Sequence, residues 1–312
     1  MAEQVQVLMV DTTGNGEPNV SPFEAEVLTL DMADYLASVV TCEMPADSWP
    51  MPALRAQALA AKSFLEFARD GRWRHERAPV CNSTHCQCYR TGVQHPRAVQ
   101  AAEWAMTRQL LFKGQQPVEA VYSSRCDHGR TRSSADVWGG DVPYLQPVEC
   151  EGDHGPRRGH AVGMCQTGAR QFALAQHWTA EQILEHYYTG AKVVELAGLA
   201  FVIASPSLRP AAEGLMMQLG AEGTPAYEPY WSDQTLLGDP WSYVQALIQR
   251  IRDGGEVYVM WDGHSTLELV LLGAALALKK HLTLAHLNQS DPVATLLSHM
   301  GANAEAGTGG MK

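Results

Sequence analysis

Three groups of residues in this chain have the types and spacing to do chemistry. The first is Glu43 in Cys42-Glu43-Met44-Pro45, a single carboxylate followed by Ser48-Trp49-Pro50 and an alanine-rich stretch. A carboxyl group walled by apolar side chains such as Met44 and Trp49 has its neutral form favoured, which suits it to give a proton. The plainer reading is structural: a carboxylate at the mouth of the next helix complements the positive end of the helix dipole. The second group is His75, Cys81, His85 and Cys86, two imidazoles and two thiols within twelve residues. Two soft sulfurs and two nitrogens match a tetrahedral zinc site, if the backbone bends so that the adjacent His85 and Cys86 converge. The spacing is irregular beside that of zinc fingers, and in an oxidising compartment the cluster Cys81, Cys86 and Cys88 would equally serve disulfides. The third group is the loop Gly159-His160-Ala161-Val162-Gly163-Met164-Cys165-Gln166-Thr167-Gly168-Ala169. Its glycines at 159, 163 and 168 permit unusual backbone angles and close approach, the mark of a shaped loop.

The elements that must position these groups follow from residue periodicity. Residues 52–65 open with proline, are rich in alanine and leucine, and carry an apolar face at Leu54, Ala58, Ala61 and Leu65, which predicts a helix with Glu43 near its start. Residues 120–124 read as a strand ending in a turn around Gly129, and the glycine loop runs into a second helix over 169–177. Up to about residue 195, strands alternate with aromatic-rich loops and two helices, an irregular α+β pattern. Beyond it, the apolar runs 199–204, 256–262 and 282–287 read as buried strands, with helices expected over 209–219, 241–252 and 266–279. That alternation indicates a small parallel α/β sheet and divides the chain into domains 1–195 and 196–312.

Composition bounds the function. The 312 residues are 46% hydrophobic and 18% charged, the balance of a globular protein with room for two cores. A formal net charge of −11 argues against nucleic acid as the main partner, because nothing basic and contiguous tracks phosphates. No stretch reaches the ~18 apolar residues of a membrane-spanning helix. Residues 1–7 lack the basic and apolar regions of a signal peptide, so none is visible.

A series of blocks in fixed order carries a resemblance to a known family. They are Tyr35-Leu36 through Glu43-Met44-Pro45, Ser48-Trp49-Pro50, Ala56-Gln57-Ala58, Val80-Cys81, His85-Cys86-Gln87-Cys88-Tyr89 and Tyr122-Ser123-Ser124. Val137-Trp138-Gly139, Pro143-Tyr144-Leu145, the His160 loop and His186-Tyr187-Tyr188-Thr189-Gly190 follow. Over about residues 25–194 the chain resembles the stage II sporulation protein D (SpoIID/LytB) family of peptidoglycan lytic transglycosylases. The resemblance implies an α+β SpoIID-like catalytic domain, here followed by a small parallel-sheet, Rossmann-like α/β domain. It implies cleavage of the MurNAc-GlcNAc β-1,4 bond to 1,6-anhydro-MurNAc ends, with Glu43 as acid and then base. Tyr122, Ser124, His160 and Gln166 are expected to line the sugar groove, with Gln57 bracing the catalytic segment. His75, Cys81, His85 and Cys86 are expected to hold a structural Zn2+. The implied partner is the peptidoglycan glycan strand and the implied location is the cell envelope.

Two departures from the family pattern stand out. His128 occupies a position where the family often has glycine, and Cys165 one where it often has serine. Cys126, Cys150 and Cys165 could form a second metal site, a disulfide pair or three separate buried thiols, and no second metal site is expected. Two other functions stay open. One is a non-catalytic glycan-binding envelope module, motivated by Arg125, Cys126 and His128. The other is a nucleoside- or nucleotide-processing enzyme acting through the C-terminal domain. That domain loosely resembles nucleoside 2-deoxyribosyltransferase-like folds through Asp262-Gly263 and Glu268.

Overall fold

A computed structural model describes residues 3–69, 72, 74–113, 116–152 and 155–196, and beyond these 200–204, 208, 212, 214–216, 226–227, 256–261 and 281–286. The chain falls into two compact units, Ala2–Glu195 and a second from Leu196 onward. Both are mixed α and β, as the sequence implies.

The first unit opens with β1 (Gln4–Met9), which pairs antiparallel with β2 (Glu26–Asp31) in a register from Gln4↔Asp31 to Met9↔Glu26. Val5 and Val7 alternate inward, and β3 (Val80–Cys81) joins parallel to β1 with Leu8 opposite Cys81. This sheet brings Cys81, and the histidines on either side of it, to the edge of the site. Asp31 caps α1 (Met32–Glu43), its side chain accepting from the amides of Ala33 and Asp34. The long helix is α2 (Met51–Arg69), buried on nearly every side because alanines let its neighbours approach closely. Leu54 and Leu59 on it are fully buried, and truncation of either to alanine should cost ~2–5 kcal/mol.

At the far end of α2 a buried polar node replaces apolar packing. Lys62 and Glu66 form an ion pair at 2.9 Å with both side chains inaccessible. Lys62 Nζ also donates to Gln109 Oε1 and the Arg108 carbonyl, each at 2.8 Å, and Gln109 donates to Glu66. Every charge in the node has a partner, the condition for tolerating ions in a core. The node ties α2 to β4 (Arg108–Phe112), which follows α3 (Pro96–Met106) and lies between β5 (Gln116–Pro117) and β8 (Ala191–Glu195) in an antiparallel sheet.

Two short strands, β6 (Tyr122–Ser123) and β7 (Met164–Cys165), pair in parallel and carry the site's second wall. Between them lies α4 (Ser134–Trp138), and after them come α5 (Gln166–Ala175) and α6 (Ala180–Tyr187). Thr179 and Gln182 form a reciprocal capping box that starts α6. The unit therefore holds six described helices where the sequence suggested two. The missed ones are α1, α3, α4 and α6, whose apolar stripes are short or made of alanine, so periodicity alone does not single them out.

In the second unit β9 (Ala200–Ala204), β11 (Glu256–Trp261) and β12 (His281–His286) form a parallel sheet in the expected succession. A further short strand, β10 (Ala226–Tyr227), lies parallel to β9 and completes the order β10-β9-β11-β12. Residues 212 and 214–216 are helical, within the helix expected over 209–219. The helices expected over 241–252 and 266–279, and Asp262, Gly263 and Glu268, lie outside the described residues. Glu195, the last residue of the first unit, is exposed, and the adjoining Leu196 is buried.

Candidate active site

Glu43 is the last residue of α1, not the first of α2, and this corrects its expected place. At the carbonyl end of a helix a negative charge is disfavoured, so the dipole-complementing reading of Glu43 falls away. Met44 turns the backbone extended immediately after it. The connection to α2 is then clamped by Arg97, whose guanidinium donates to the carbonyls of Ala46 at 2.8 Å, Asp47 at 3.0 Å and Trp49 at 2.6 Å. Arg97 sits in the first turn of α3, so three helices meet at the catalytic candidate. Nothing in its sequence context marked that arginine.

The carboxylate of Glu43 is held by both walls of the unit. Its Oε1 accepts from the Cys88 amide at 3.0 Å, and its Oε2 accepts from Gln166 Nε2 at 3.2 Å. The same Gln166 amide donates to Gln57 Oε1 at 3.2 Å, so the fully buried Gln57 of α2 orients Gln166 towards Glu43. Burial pushes the Glu43 carboxyl above the usual glutamate range; the Cys88, Gln166 and Tyr122 hydrogen-bonding groups pull the other way without cancelling it. The Tyr122 hydroxyl is buried beside this carboxylate and lacks a partner of good geometry. Glu43 retains partial exposure towards a cleft of about 560 Å3 lined also by Tyr122, Ser124, Trp138, His160 and Gln166. The structure thus gathers all five candidate catalytic and substrate-binding residues around one opening.

Their individual surroundings differ. Ser124 is exposed in the cleft, and its carbonyl fixes Thr167 through two bonds of 3.2 Å. His160 is occupied by the backbone: its Nδ1 accepts from the Val162 amide at 3.0 Å, and it also bonds the backbone at Tyr122. Burial lowers its pKa, so the ring is neutral at pH 7. Its face meets Trp138 with ring centroids 5.1 Å apart, and Trp138 is 52% exposed, an indole offered to the cleft. The sequence analysis quoted Trp138 only as part of a block; its exposure was the signal that could not be read there. The glycine loop has the shape expected of it. Gly163 has φ +70°, and a Cβ there would fall 2.1 Å from the Val121 carbonyl oxygen, so the loop closes onto β6 only with glycine. His128 takes φ +50° in the turn before Gly129, a conformation that costs a non-glycine residue.

The cleft extends to the second candidate group. One ligand atom from each of His75, Cys81, His85 and Cys86 lies within 4.8 Å of all the others. His75 Nε2 and His85 Nδ1 each stand 3.4 Å from Cys86 Sγ, with Cys81 buried behind them. The Cys86 thiol, hydrogen-bonded to Cys81, holds the Cys81 sulfur well below the usual thiol range and is itself pushed up. Two sulfurs and two imidazole nitrogens converging from a strand and a loop fit a tetrahedral zinc ion. Cys88 stands apart from this set, its thiol against Cys42.

Comparison with known proteins locates the relationship in the first wall. Residues 24–112 match the family model described as stage II sporulation protein, SpoIID. An uncharacterized protein of Brachyspira hyodysenteriae (strain ATCC 49526 / WA1) is 34% identical over 120 residues, which span 38% of this chain and 32% of that relative. The chain therefore matches about a third of the relative's length. The segment 24–112 contains Glu43, α2 and all four of the clustered imidazole and thiol ligands, so the similarity to SpoIID, a family linked to the cell wall and sporulation, covers both the acid and the cluster.

Proposed function

We propose that the unit Ala2–Glu195 is a peptidoglycan lytic transglycosylase that cleaves between MurNAc and GlcNAc with Glu43 as its only acid–base group. The observation that carries this reading is the isolation of Glu43. The cleft has one other carboxylate in its described lining, Glu119, and that one is engaged by the Arg74 guanidinium. Hydrolysis by two carboxylates needs a second one available to act as nucleophile or to activate water. Transglycosylation does not, because the substrate brings its own nucleophile.

The proton inventory is simple. Glu43, whose proton burial holds to higher pH than an exposed glutamate keeps it, gives that proton to the glycosidic oxygen as positive charge develops at C1. The muramic C6 hydroxyl attacks C1 on the same sugar and returns a proton to Glu43, leaving a 1,6-anhydro end. Gln166 and the Cys88 amide steady the carboxylate between the two transfers. Trp138 and Tyr122 offer ring faces to the sugar, and Ser124 offers a hydroxyl. His160, committed to backbone partners, shapes the loop that carries Gln166.

The same reading gives His75, Cys81, His85 and Cys86 a structural Zn2+. When bound, the ion would cross-link β3 to the neighbouring loops. The residues just after Cys86 supply the amide that holds Glu43, so this cross-link sets the first wall's position. Incubation of the protein with purified glycan strands, with and without stem peptides, followed by mass analysis, tests the activity. Anhydro-ended fragments are expected. Hydrolytic reducing ends would instead make it a hydrolase, and retention of strands without cleavage would make it a binding module.

A further inference from the structure

Cys126, Cys150 and Cys165 have no part in the chemistry above. They come from three separate segments: the turn after β6, the middle of the stretch between α4 and β7, and the β7–α5 junction. Their sulfurs nonetheless lie within 4.8 Å of one another, and all three residues are buried, at 0%, 7% and 1% exposure. Convergence alone is what core packing of small hydrophobes also gives, so the polar groups around the three sulfurs must tell a site from packing.

The surroundings of the cluster suit negative charge. Cys165 Sγ accepts from the Cys126 amide at 3.1 Å and from the Gly168 amide at 3.3 Å, and Thr167 Oγ1 lies 3.3 Å away. The Tyr187 hydroxyl donates to Cys150 Sγ at 3.4 Å. A neutral thiol is a weak acceptor, so several donors around one buried sulfur match a thiolate. Cys165 also caps the N-terminus of α5, where the helix dipole favours an anion. Gly168 keeps this approach open: a Cβ there would lie 2.2 Å from the Tyr187 oxygen and 3.4 Å from Cys150 Sγ. A disulfide between any two of the three would leave the third sulfur buried against it with no role. A d10 cation with metal–sulfur bonds of about 2.3 Å separates its sulfurs by about 3.8 Å, inside the observed spread.

We propose that Cys126, Cys150 and Cys165 form a second metal site, an all-thiolate set for one thiophilic d10 cation such as Zn2+. Binding replaces the thiol protons, and Zn2+ on three thiolates carries a net charge of −1 that the amides and the Tyr187 hydroxyl face. One position on Zn2+ is left to an exogenous ligand. The ion staples the turn after β6 to the start of α5, one residue from Gln166, and so sets the wall opposite His75 and its partners.

The test is zinc stoichiometry on the full chain, isolated under reducing conditions and dialysed against Zn2+. Two zinc ions per chain are expected, falling to one in Cys126→Ala or Cys150→Ala and to one in Cys81→Ala. The ion lost from each variant tells the sites apart, so failure of the His75 set does not mimic failure of this one. Cys126→Ala and Cys150→Ala holding as much zinc as the parent would overturn the proposal. So would a disulfide among the three found by mass mapping of the parent. If the variants do not fold, zinc-edge X-ray absorption of the parent decides. More than two sulfurs per zinc on average supports the site, and an average of two sulfurs and two nitrogens overturns it.

Discussion

The two walls of the cleft are built on different plans. The first, from Glu26 to Phe112, is helical and matched by the SpoIID family model. It carries the acid on the end of α1 and braces it with a central, largely buried α2. The second, from Val118 to Tyr188, joins two very short strands and three short helices by long turns, lies outside that match, and carries the groups that face the acid: Tyr122, Ser124, Trp138, His160 and Gln166. Each wall has a sulfur-rich cluster near the cleft. The difference teaches that long packed helices fix one reactive group in place, while turns and the ends of short helices present several, Trp138 from the end of α4 and Gln166 from the start of α5. Irregular backbone cannot hold its own shape by ladder hydrogen bonds, so it leans on glycine turns and buried side-chain bonds instead.

The sharpest test of that division is Glu43→Gln, which keeps size and hydrogen bonding but cannot give a proton. Glycan cleavage should fall by at least ~10²-fold with the fold intact. Release of anhydro ends at half the parental rate would move the chemistry to the other wall. Next in size is removal of zinc from the first wall. Cys81→Ser or Cys86→Ser should lose one metal ion and unfold at a clearly lower temperature, because structural zinc binding energy is folding energy. Metal analysis and a thermal melt check this, and variants as stable as the parent would remove zinc from the first wall.

The bond between the walls should matter less than either wall. Gln166→Ala should slow cleavage by about tenfold, the loss of one hydrogen bond to a charged group. It should also move the alkaline limb of the rate profile upward, since Gln166 helps to lower the Glu43 pKa. A slower rate with an unmoved limb would make Gln166 a sugar contact only.

The pH dependence has a definite sign. The folded-state pKa of Glu43 is raised by burial, so cleavage should persist above the ordinary glutamate range of about 4.3 and fall as pH rises through the folded value. The same shift is a stability term. It is fully present below the unfolded pKa and lost as pH rises through the folded one. Glu43→Gln should therefore match or slightly exceed the parent in melting temperature at neutral pH, the gap closing on acidification. A parent that melts higher than the variant at neutral pH would mean that the carboxylate is stabilised, contrary to its burial. The smallest effect is expected from deleting the second unit. β8 runs to Glu195, whose carboxylate pairs with Arg108 at 2.6 Å, so the cut belongs after Leu196. A fragment of residues 2–196 should fold, bind metal and cleave at the parental rate. A soluble, metal-loaded but inactive fragment would assign the second unit a part in catalysis.

Sequence alone determined the parts whose information is local. The helical core of α2 was legible because its alanines and leucines repeat at helical spacing, and the parallel strands β9, β11 and β12 because buried strands are continuous apolar runs. The glycines at 159 and 163 announced a shaped loop, and the short spacing from His75 to Cys86 let a ligand set be named from chain order. Tertiary structure decided what depends on distant segments meeting. It put Glu43 at the carbonyl end of α1, against the sequence reading, because an element boundary is set by the C-cap and the Arg97 clamp and not by composition. It brought Gln166 across to Glu43 and gathered Cys126, Cys150 and Cys165 from three separate segments. Burial, which raises the Glu43 pKa and commits His160 to the backbone, is a property of packing, and no single stretch of chain contains it.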